Sequence, residues 1–405
     1  MTRHSIVRAL LLLGWKLKAT AKGAADVTMI GAERPESSTG VEVILGVDTH
    51  LDFHVAVALD HLGRRLGDSS VPTTPKGYER LLRWAEGFGP LRCAGVEGTS
   101  SYGAGLARHL RARGIEVLEV ERPKHRRRSS RGNLQKKSDP SDAEAAARAV
   151  LAGEASGVPK SGDGEVEMIR ALRAARRSAI KARTQAANQL QALRVTAPEQ
   201  LRRRLRGLST KELVCVAARF RLADDPRDVP TATKFALRSV ARRYEVLSEE
   251  IAELEAHLDR LVAQAAPELV SLPGIGTENA ATLLVVAGDN PQRLGSEASF
   301  ASLCGVAPIE ASSGKVVRHR LNRGGNREAN RALYMTCLAR MRRDRRTQEY
   351  VARRTQEGKS KREIIRCLKR YVAREVYRVL ISCGVRSSPI GPQAEVHIAS
   401  GSSAA

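Results

Sequence analysis

The chain has 405 residues, 42% of them hydrophobic, enough for folded cores and too many for a disordered protein. That length suggests about two to three domains. Lys and Arg number 68 against 44 Asp and Glu, and the resulting +24 must meet a polyanion or repel itself, which makes nucleic acid the expected partner. Aromatic residues are only 3%, so contacts to the backbone of double-stranded DNA are expected rather than a groove that stacks single strands. The cysteines are Cys93, Cys215, Cys304, Cys337, Cys367 and Cys383, with no Cys-x-x-Cys pair and no zinc-like cluster. They read as reduced, mostly buried thiols of a cytoplasmic, nucleoid-associated protein. A brief apolar run at residues 8–15 is too short to span a bilayer and lacks a convincing cleavage site, so no membrane is expected.

Residues 1–40 read as a disordered N-terminal extension. A domain at 41–155 follows, with an α/β pattern. Val41 to Asp48 is an apolar run, and His54 to Asp60 continues it, with Gly63 at a turn; the two form a hairpin. Gly77 to Glu86 reads as a helix, Arg92 to Glu97 as a strand, Tyr102 to Arg113 as a helix and Ile115 to Val120 as a strand. This order predicts a mixed sheet covered by helices. The basic stretch at 122–137 includes Arg126, Arg127, Arg128, Lys136 and Lys137, a nucleic-acid contact or a solvated loop. Ser138-Asp139-Pro140-Ser141-Asp142 then opens an Ala-rich helix, with Asp at the cap and Pro at the first turn.

A Gly- and Ser-rich linker at 153–164 leads into two long helical patterns, an arm spanning 165–265. In the second, Leu237, Val240, Tyr244, Leu247, Ile251, Leu254, Leu258 and Leu261 follow heptad spacing. In the first, Leu172, Ala175, Ala179, Ala182, Ala186, Gln189 and Leu193 keep the same spacing with smaller residues. The pair folds back as an antiparallel coiled coil or joins another subunit. A mainly α-helical domain at 266–385 follows. Pro273-Gly-Ile-Gly276 before Thr277–Ala287 is either a phosphate-holding helix-hairpin-helix turn or a plain helix connection. Residues 296–304 read as helix, 308–326 as basic loop, and Gly325–Arg343 and Lys361–Leu380 as basic helices suited to duplex contact. Residues 386–405 read as a disordered tail.

Four acids stand out. Asp48 and Glu97 end strands, and Asp139 and Asp142 share one helix face at i,i+3. Converging carboxylates suit hard divalent ions such as Mg²⁺, which clamp the attacking and leaving oxygens of a phosphodiester. Singly, each acid has a plainer role: Asp139 as a helix cap, Glu97 as a strand-end surface residue.

The sequence resembles the bacterial insertion-sequence transposases of the DEDD class, relatives of pilin-gene-inverting recombinases and guide-RNA (bridge-RNA) directed recombinases. The resemblance lies in Gly46-Val-Asp48-Thr-His50, Val96-Glu97-Gly-Thr99 and Lys137-Ser-Asp139-Pro-Ser-Asp142-Ala-Glu144. Further along it lies in Leu272-Pro-Gly-Ile-Gly276, Cys304-Gly-Val-Ala-Pro308, Ala311-Ser-Ser313-Gly-Lys315 and His319 to Asn326. These blocks cover about residues 43–380, and only in combination are they specific. The resemblance implies a RuvC-like, RNase-H-type N-terminal domain. Its tetrad Asp48, Glu97, Asp139 and Asp142 would bind Mg²⁺, with Mn²⁺ as the substitute. It implies a nucleophilic serine before a glycine, Ser313, with Ser312 as the adjacent alternative. It also implies a dimer to tetramer and a structured guide RNA that pairs element ends with target DNA. Leu51 departs from the family, which usually has Lys there. Around Ser313, the residues Lys315, Arg318, His319, Arg320 and Arg323 can neutralise a phosphate. The expected mechanism is attack by Ser313 at a site composed across domains or subunits. The alternatives are a RuvC-like, junction-resolving endonuclease with no covalent step, and a non-catalytic nucleic-acid-binding protein.

Overall fold

The structure, a computed structural model, describes residues 41–120, 138–155, 157–221, 227–314 and 319–382. The readings of residues 1–40, of the 386–405 tail and of the 122–137 basic stretch with Arg126, Arg127, Arg128, Lys136 and Lys137 lie outside the described residues, as do Lys315, Arg318 and Cys383. The chain divides into two compact units between Pro159 and Lys160. Among the described residues, no helix is long and apolar enough to cross a membrane.

The N-terminal unit is a five-stranded mixed sheet with helices on both faces. Its strands are β1 (Val43–Thr49), β2 (Phe53–Asp60), β3 (Arg65–Pro72), β4 (Leu91–Glu97) and β5 (Glu116–Val120), in the order β3-β2-β1-β4-β5. The first three pair antiparallel, with β1 and β2 as the expected hairpin, while β4 pairs parallel with both β1 and β5. Strand side chains alternate between faces. Leu45, Val47, Ala94 and Val96 face helices α1 (Pro75–Glu86) and α2 (Ala104–Ala112), packing on Tyr78, Leu81, Leu106 and Leu110. Ile44, Val57, Leu59 and Cys93 face helix α3 (Asp139–Leu151), packing on Ala143, Ala146, Ala147 and Val150. The start of α1 follows its sequence. Thr74 Oγ1 accepts from the Gly77 N–H at 3.1 Å, and Pro75 opens α1.

Among the described residues, the regular structure of the second unit is helical except for a short ribbon. Its long helices are α4 (Glu165–Thr196) and α7 (Val229–Ala265). Arg176 pairs with Glu255, and Arg183 lies over the Tyr244 ring at 5.8 Å, so the two helices run antiparallel. Between them α5 (Glu199–Leu205) and α6 (Thr210–Ala218) close the far end around Leu190, Leu205, Leu213 and Leu237. At the near end the chain continues through α8 (Pro267–Ser271), α9 (Thr277–Ala287), a 3₁₀ turn (Pro291–Leu294) and α10 (Glu297–Leu303). The ribbon β6 (Ile309–Glu310) and β7 (His319–Arg320) follows, then α11 (Arg327–Arg343), α12 (Arg345–Gln356) and α13 (Lys361–Ser382). One core of Ile169, Leu258, Leu284, Phe300, Leu333 and Val376 joins these helices to the base of α4 and α7.

The expected seam of α4 needs correction at this base. Ala179 and Ala186 are buried as expected, but Ala175 faces solvent, and the buried positions at the base are Val166, Ile169 and Arg173. The reason is that α4 meets α9 and α11 here as well as α7, and Arg173 reaches Glu278 on α9 at 3.0 Å and Glu328 on α11 at 3.1 Å. The glycine turn before α9 also has a packing role. A Cβ on Gly274 would stand 3.2 Å from Ala339 Cβ, and Pro273 O accepts from Arg340 Nε at 2.7 Å, so the turn is tied to α11.

Candidate active site

Within the N-terminal unit, β1 and β4 are parallel neighbours with Val47 opposite Val96. The next residues, Asp48 and Glu97, therefore stand at two adjacent carboxyl-terminal strand ends. By alternation both fall on the face of Ile44 and Cys93, which α3 covers. The helix is seated very close. A Cβ on Gly46 would lie 2.1 Å from Ala143 O and 2.3 Å from Ala147 N, and a Cβ on Gly95 would lie 2.6 Å from Val150 Cγ2. A glycine two residues before each acid thus lets the helix backbone down onto the sheet. Small residues at 143, 146 and 147 complete the fit. This seat brings the first turn of α3, which carries Asp139 and Asp142, to the end of β1.

Asp48 is 5% exposed and Glu97 8%, while Asp139 and Asp142 are half-buried. Asp139 is not the helix cap. Ser138 holds that position, with its N–H donated to Ser141 Oγ at 3.3 Å, so Asp139 is the first helical residue. Its carboxylate meets a residue that the sequence reading did not select as a ligand. His50 Nε2 lies 3.3 Å from Asp48 Oδ2 and 3.5 Å from Asp139 Oδ2, and the three residues offer ligand atoms within 4.8 Å of one another. Glu97 and Asp142 stand outside this group of three. The signal for His50 was its i,i+2 spacing from Asp48, which keeps both on one side of an extended chain. Phe53 holds the His50 ring from the side, centroid to centroid 4.9 Å. Two carboxylates and an imidazole suit a first-row divalent ion or Mg²⁺. The start of α3 adds its positive dipole end, which favours anions there. His54, one strand over, is a different kind of histidine. It is fully buried on the α1 face, stacked on Tyr78 at 5.8 Å, and burial holds its imidazole below the ordinary range.

In the second unit, Ser312 and Ser313 are exposed in the loop between β6 and β7. Gly314 takes φ +57°, a conformation that glycine adopts without strain, and among the described residues nothing stands near its Cβ position. The ribbon is short: Ile309 pairs with Arg320 and Glu310 with His319. Arg320 and His319 are thus on the return strand, and Arg323 is exposed beyond it. The ribbon's base is firmer. A Cβ on Gly325 would come within 2.2 Å of Gly305 N. Asn330 Nδ2 donates to the carbonyls of Cys304 and Gly305 at 3.0 Å each, and Lys369 Nζ donates to Asn330 Oδ1 at 2.9 Å. Asn326 caps α11, accepting from the N–H groups of Glu328 and Ala329. The Cys304–Pro308 and Gly324–Asn326 blocks therefore form one joint, pressed together glycine on glycine. Among the thiols, Cys304 and Cys337 are buried and burial pushes each up to about 12, so neither is a nucleophile. Among the described cysteines Cys93, Cys304 and Cys337 are buried, Cys367 is half-buried and Cys215 is exposed, in line with mostly buried thiols.

Comparison with known proteins adds to this geometry. Residues 45–196 match an IS110-type DEDD family model described as "Transposase". Residues 266–352 match a second model described as "Transposase IS116/IS110/IS902 family". The chain is 34% identical over 125 residues to the "Insertion element IS110 uncharacterized 43.6 kDa protein" of Streptomyces coelicolor. That stretch is 30% of this chain and spans 31% of the relative's length.

Proposed function

The chain belongs to the IS110 transposase family, carrying both of its domains, and on that premise we propose that it is a DNA transposase that cuts and rejoins strands through a covalent serine link. The observation that supports this most is the meeting of Asp48 and Asp139 at His50 under a helix seated on Gly46. We read the N-terminal domain as RuvC-like, with Asp48, Glu97, Asp139 and Asp142 as the DEDD set that holds Mg²⁺. The donor chemistry fits, since four carboxylates supply the hard oxygens such an ion prefers. The ion, when bound, neutralises charge on the phosphate oxygens.

In this reading Ser313 Oγ attacks the scissile phosphorus. The Oγ–P bond forms as the bond from phosphorus to the leaving strand's oxygen breaks, and that oxygen takes up a proton. Attack by a hydroxyl of a second strand reverses the step, frees the serine and conserves the bond energy for rejoining. Arg320 and Arg323, with Lys315 and Arg318, lower the phosphate's charge, and the stretch Arg126, Arg127, Arg128, Lys136 and Lys137 grips nucleic acid. The partners are duplex element ends and target DNA, a structured guide RNA, and further copies of the chain joined through the antiparallel α4–α7 arm acting as a coiled coil. A junction-resolving nuclease accounts for the carboxylates equally well but leaves the second matched segment, 266–352, without a role.

The test is covalent trapping. Element-end DNA incubated with the protein and Mg²⁺ gives a protein–DNA adduct on denaturing gels. Ser313→Ala abolishes it and Ser312→Ala retains it. Adducts that persist in Ser313→Ala overturn the serine assignment. Sequencing RNA that co-purifies with the protein tests the guide: a defined element-derived RNA is expected, and no enrichment points to an RNA-independent recombinase.

A further inference from the structure

The chain has only 7 tyrosines, yet two of them meet in one arginine-lined cleft of about 900 Å³ between α11, α12 and α13. Tyr350 and Tyr371 stand edge to face, centroids 5.7 Å apart at 85°. Arg353 lies over the Tyr350 ring at 5.5 Å and Arg374 over the Tyr371 ring at 6.0 Å. Tyr371 is 46% exposed.

The charges of the cleft do not cancel. Its acids are already engaged: Glu375 accepts from Arg340 Nη1 at 2.7 Å, Glu349 from Arg345 Nε at 2.9 Å, and Asp344 caps α12 through the Thr347 N–H at 3.0 Å. Arg346 and Arg378 also line it, and among the described residues neither forms a salt bridge. Arg340 gives a second, independent sign. It lines the cleft at 7% exposure, and its buried Nη2 has no hydrogen-bond partner among the described residues. A buried donor left unpaired is costly, and a phosphate or base acceptor in the cleft satisfies it.

We propose that this cleft binds one unpaired nucleotide of a nucleic-acid strand, its base stacked on Tyr371 and its phosphate held by Arg346 and Arg378. Its volume lies in the range of small-ligand sites, the scale of one nucleotide rather than of a duplex. An aromatic face flanked by guanidinium groups is the chemistry that takes any base by its π face and any backbone by its charge. Burial pushes the Tyr350 phenol up to about 12, with the neighbouring Cys367 and Tyr371 adding to the shift, so at neutral pH Tyr350 remains an uncharged donor beside the site. The proposal stands whether or not Ser313 is the nucleophile.

The test uses the full-length protein and single-stranded oligonucleotides carrying one 2-aminopurine, in parallel DNA and RNA forms that distinguish the sugar. Binding quenches the fluorophore as it stacks. Tyr371→Ala removes the quench and weakens single-strand binding by about 5- to 150-fold, the loss of one stacked base. Tyr371→Phe keeps both. Blunt duplex binding is unchanged in either variant. Arg378→Gln keeps the quench but lowers the salt slope for single strands by about 0.7. If Tyr371→Ala quenches and binds single strands like the parent, or loses duplex and single-strand binding equally, the cleft is not a nucleotide site.

Discussion

The two regions that carry the proposed chemistry are built in opposite ways. The carboxylates of the N-terminal unit stand on strand ends and a helix start, with Asp48 buried and α3 pressed onto Gly46 and Gly95. The serine of the second unit stands exposed in a loop beyond a two-residue ribbon, whose base is held by Gly305, Gly325 and Asn330. A metal site needs its ligands held before the ion arrives, since misplaced carboxylates repel one another. The proposed nucleophile would have to move with its strand, and an exposed position permits this. The difference predicts that small changes disturb the first region through packing and leave the fold of the second intact.

The largest effect is expected at Gly46→Ala. The new methyl meets two backbone atoms of α3, which cannot rotate away. The helix must lift, at about 3 kcal/mol, the upper end of ordinary overpacking costs. Denaturant unfolding reads the loss, and Mn²⁺ titration calorimetry reads the proposed metal site, which is expected to weaken together with stability. A variant with parental stability would mean that α3 is not seated on the sheet in this way. Next comes Arg173→Met in the second unit. Arg173 is buried, but its partners Glu278 and Glu328 are half exposed and keep Arg176 and Arg177. The cost is therefore about 2 kcal/mol, below that of a fully buried pair. Burial works against the Glu328 carboxylate, yet hydrogen bonds and charge from Arg173 and Arg177 hold it below the ordinary glutamate value. A depressed carboxylate contributes stability above its unfolded value, and this is lost as pH falls through the folded one. Stability of the parent should thus fall more steeply in acid than that of Arg173→Met, while Mn²⁺ binding by the variant stays parental. Third is Gly314→Ala. Among the described residues nothing stands near its Cβ, so the expected cost is that of the left-handed backbone, about 1 kcal/mol. The fold survives and the covalent adduct still forms, more slowly. Loss of stability as large as at Gly46 would erase the contrast.

Much of the sheet was legible in the sequence because its central strands are apolar runs with clear ends. β3 was not. As an edge strand reading Arg-Leu-Gly-Asp-Ser-Ser-Val-Pro it buries only Val71, so it shows no alternation. Likewise α12 buries only Thr347 and carries no apolar stripe to read. The seam of α4 was legible where one helix covers it and misleading where three do, because Arg173 is buried by ion pairing rather than by hydrophobicity. Acids at a strand end and a helix start announced Asp48 and Asp139, the two carboxylates that meet at His50. His50 escaped because its partner Asp139 arrives only when α3 folds back over β1. The tyrosine cleft escaped because composition averages over the chain, and 3% aromatics says nothing about where they gather.

The smallest expected effect sharpens the comparison most, because it concerns an acid placed much as Asp139 is. Asp289 stands at the start of α4, as Asp139 stands at the start of α3. It is 7% exposed, and its Oδ1 accepts from the Val166 N–H at 2.7 Å. A Cβ on Gly164 would come within 2.4 Å of that oxygen, so the contact leaves no room for an ion. Burial raises the Asp289 carboxyl above its ordinary value, and the charge of Asp163 adds to this. The backbone N–H groups of Val166, Gly164 and Glu167 offset only part of it. A raised carboxyl is most favourable to the fold below its unfolded value and loses that contribution as pH rises through its folded one. Asparagine keeps the acceptor and drops the charge. Asp289→Asn should therefore stabilise the protein at neutral pH, by under about 1 kcal/mol. That advantage should shrink in acid, read as melting temperature against pH, and metal binding should be untouched. Asp139→Asn should do the reverse, sparing stability and weakening Mn²⁺ binding, because Asp139 faces another acid and His50 instead of a row of backbone donors. If the two substitutions behaved alike in both measurements, the distinction between an acid that fastens a helix and an acid that awaits a cation would fail.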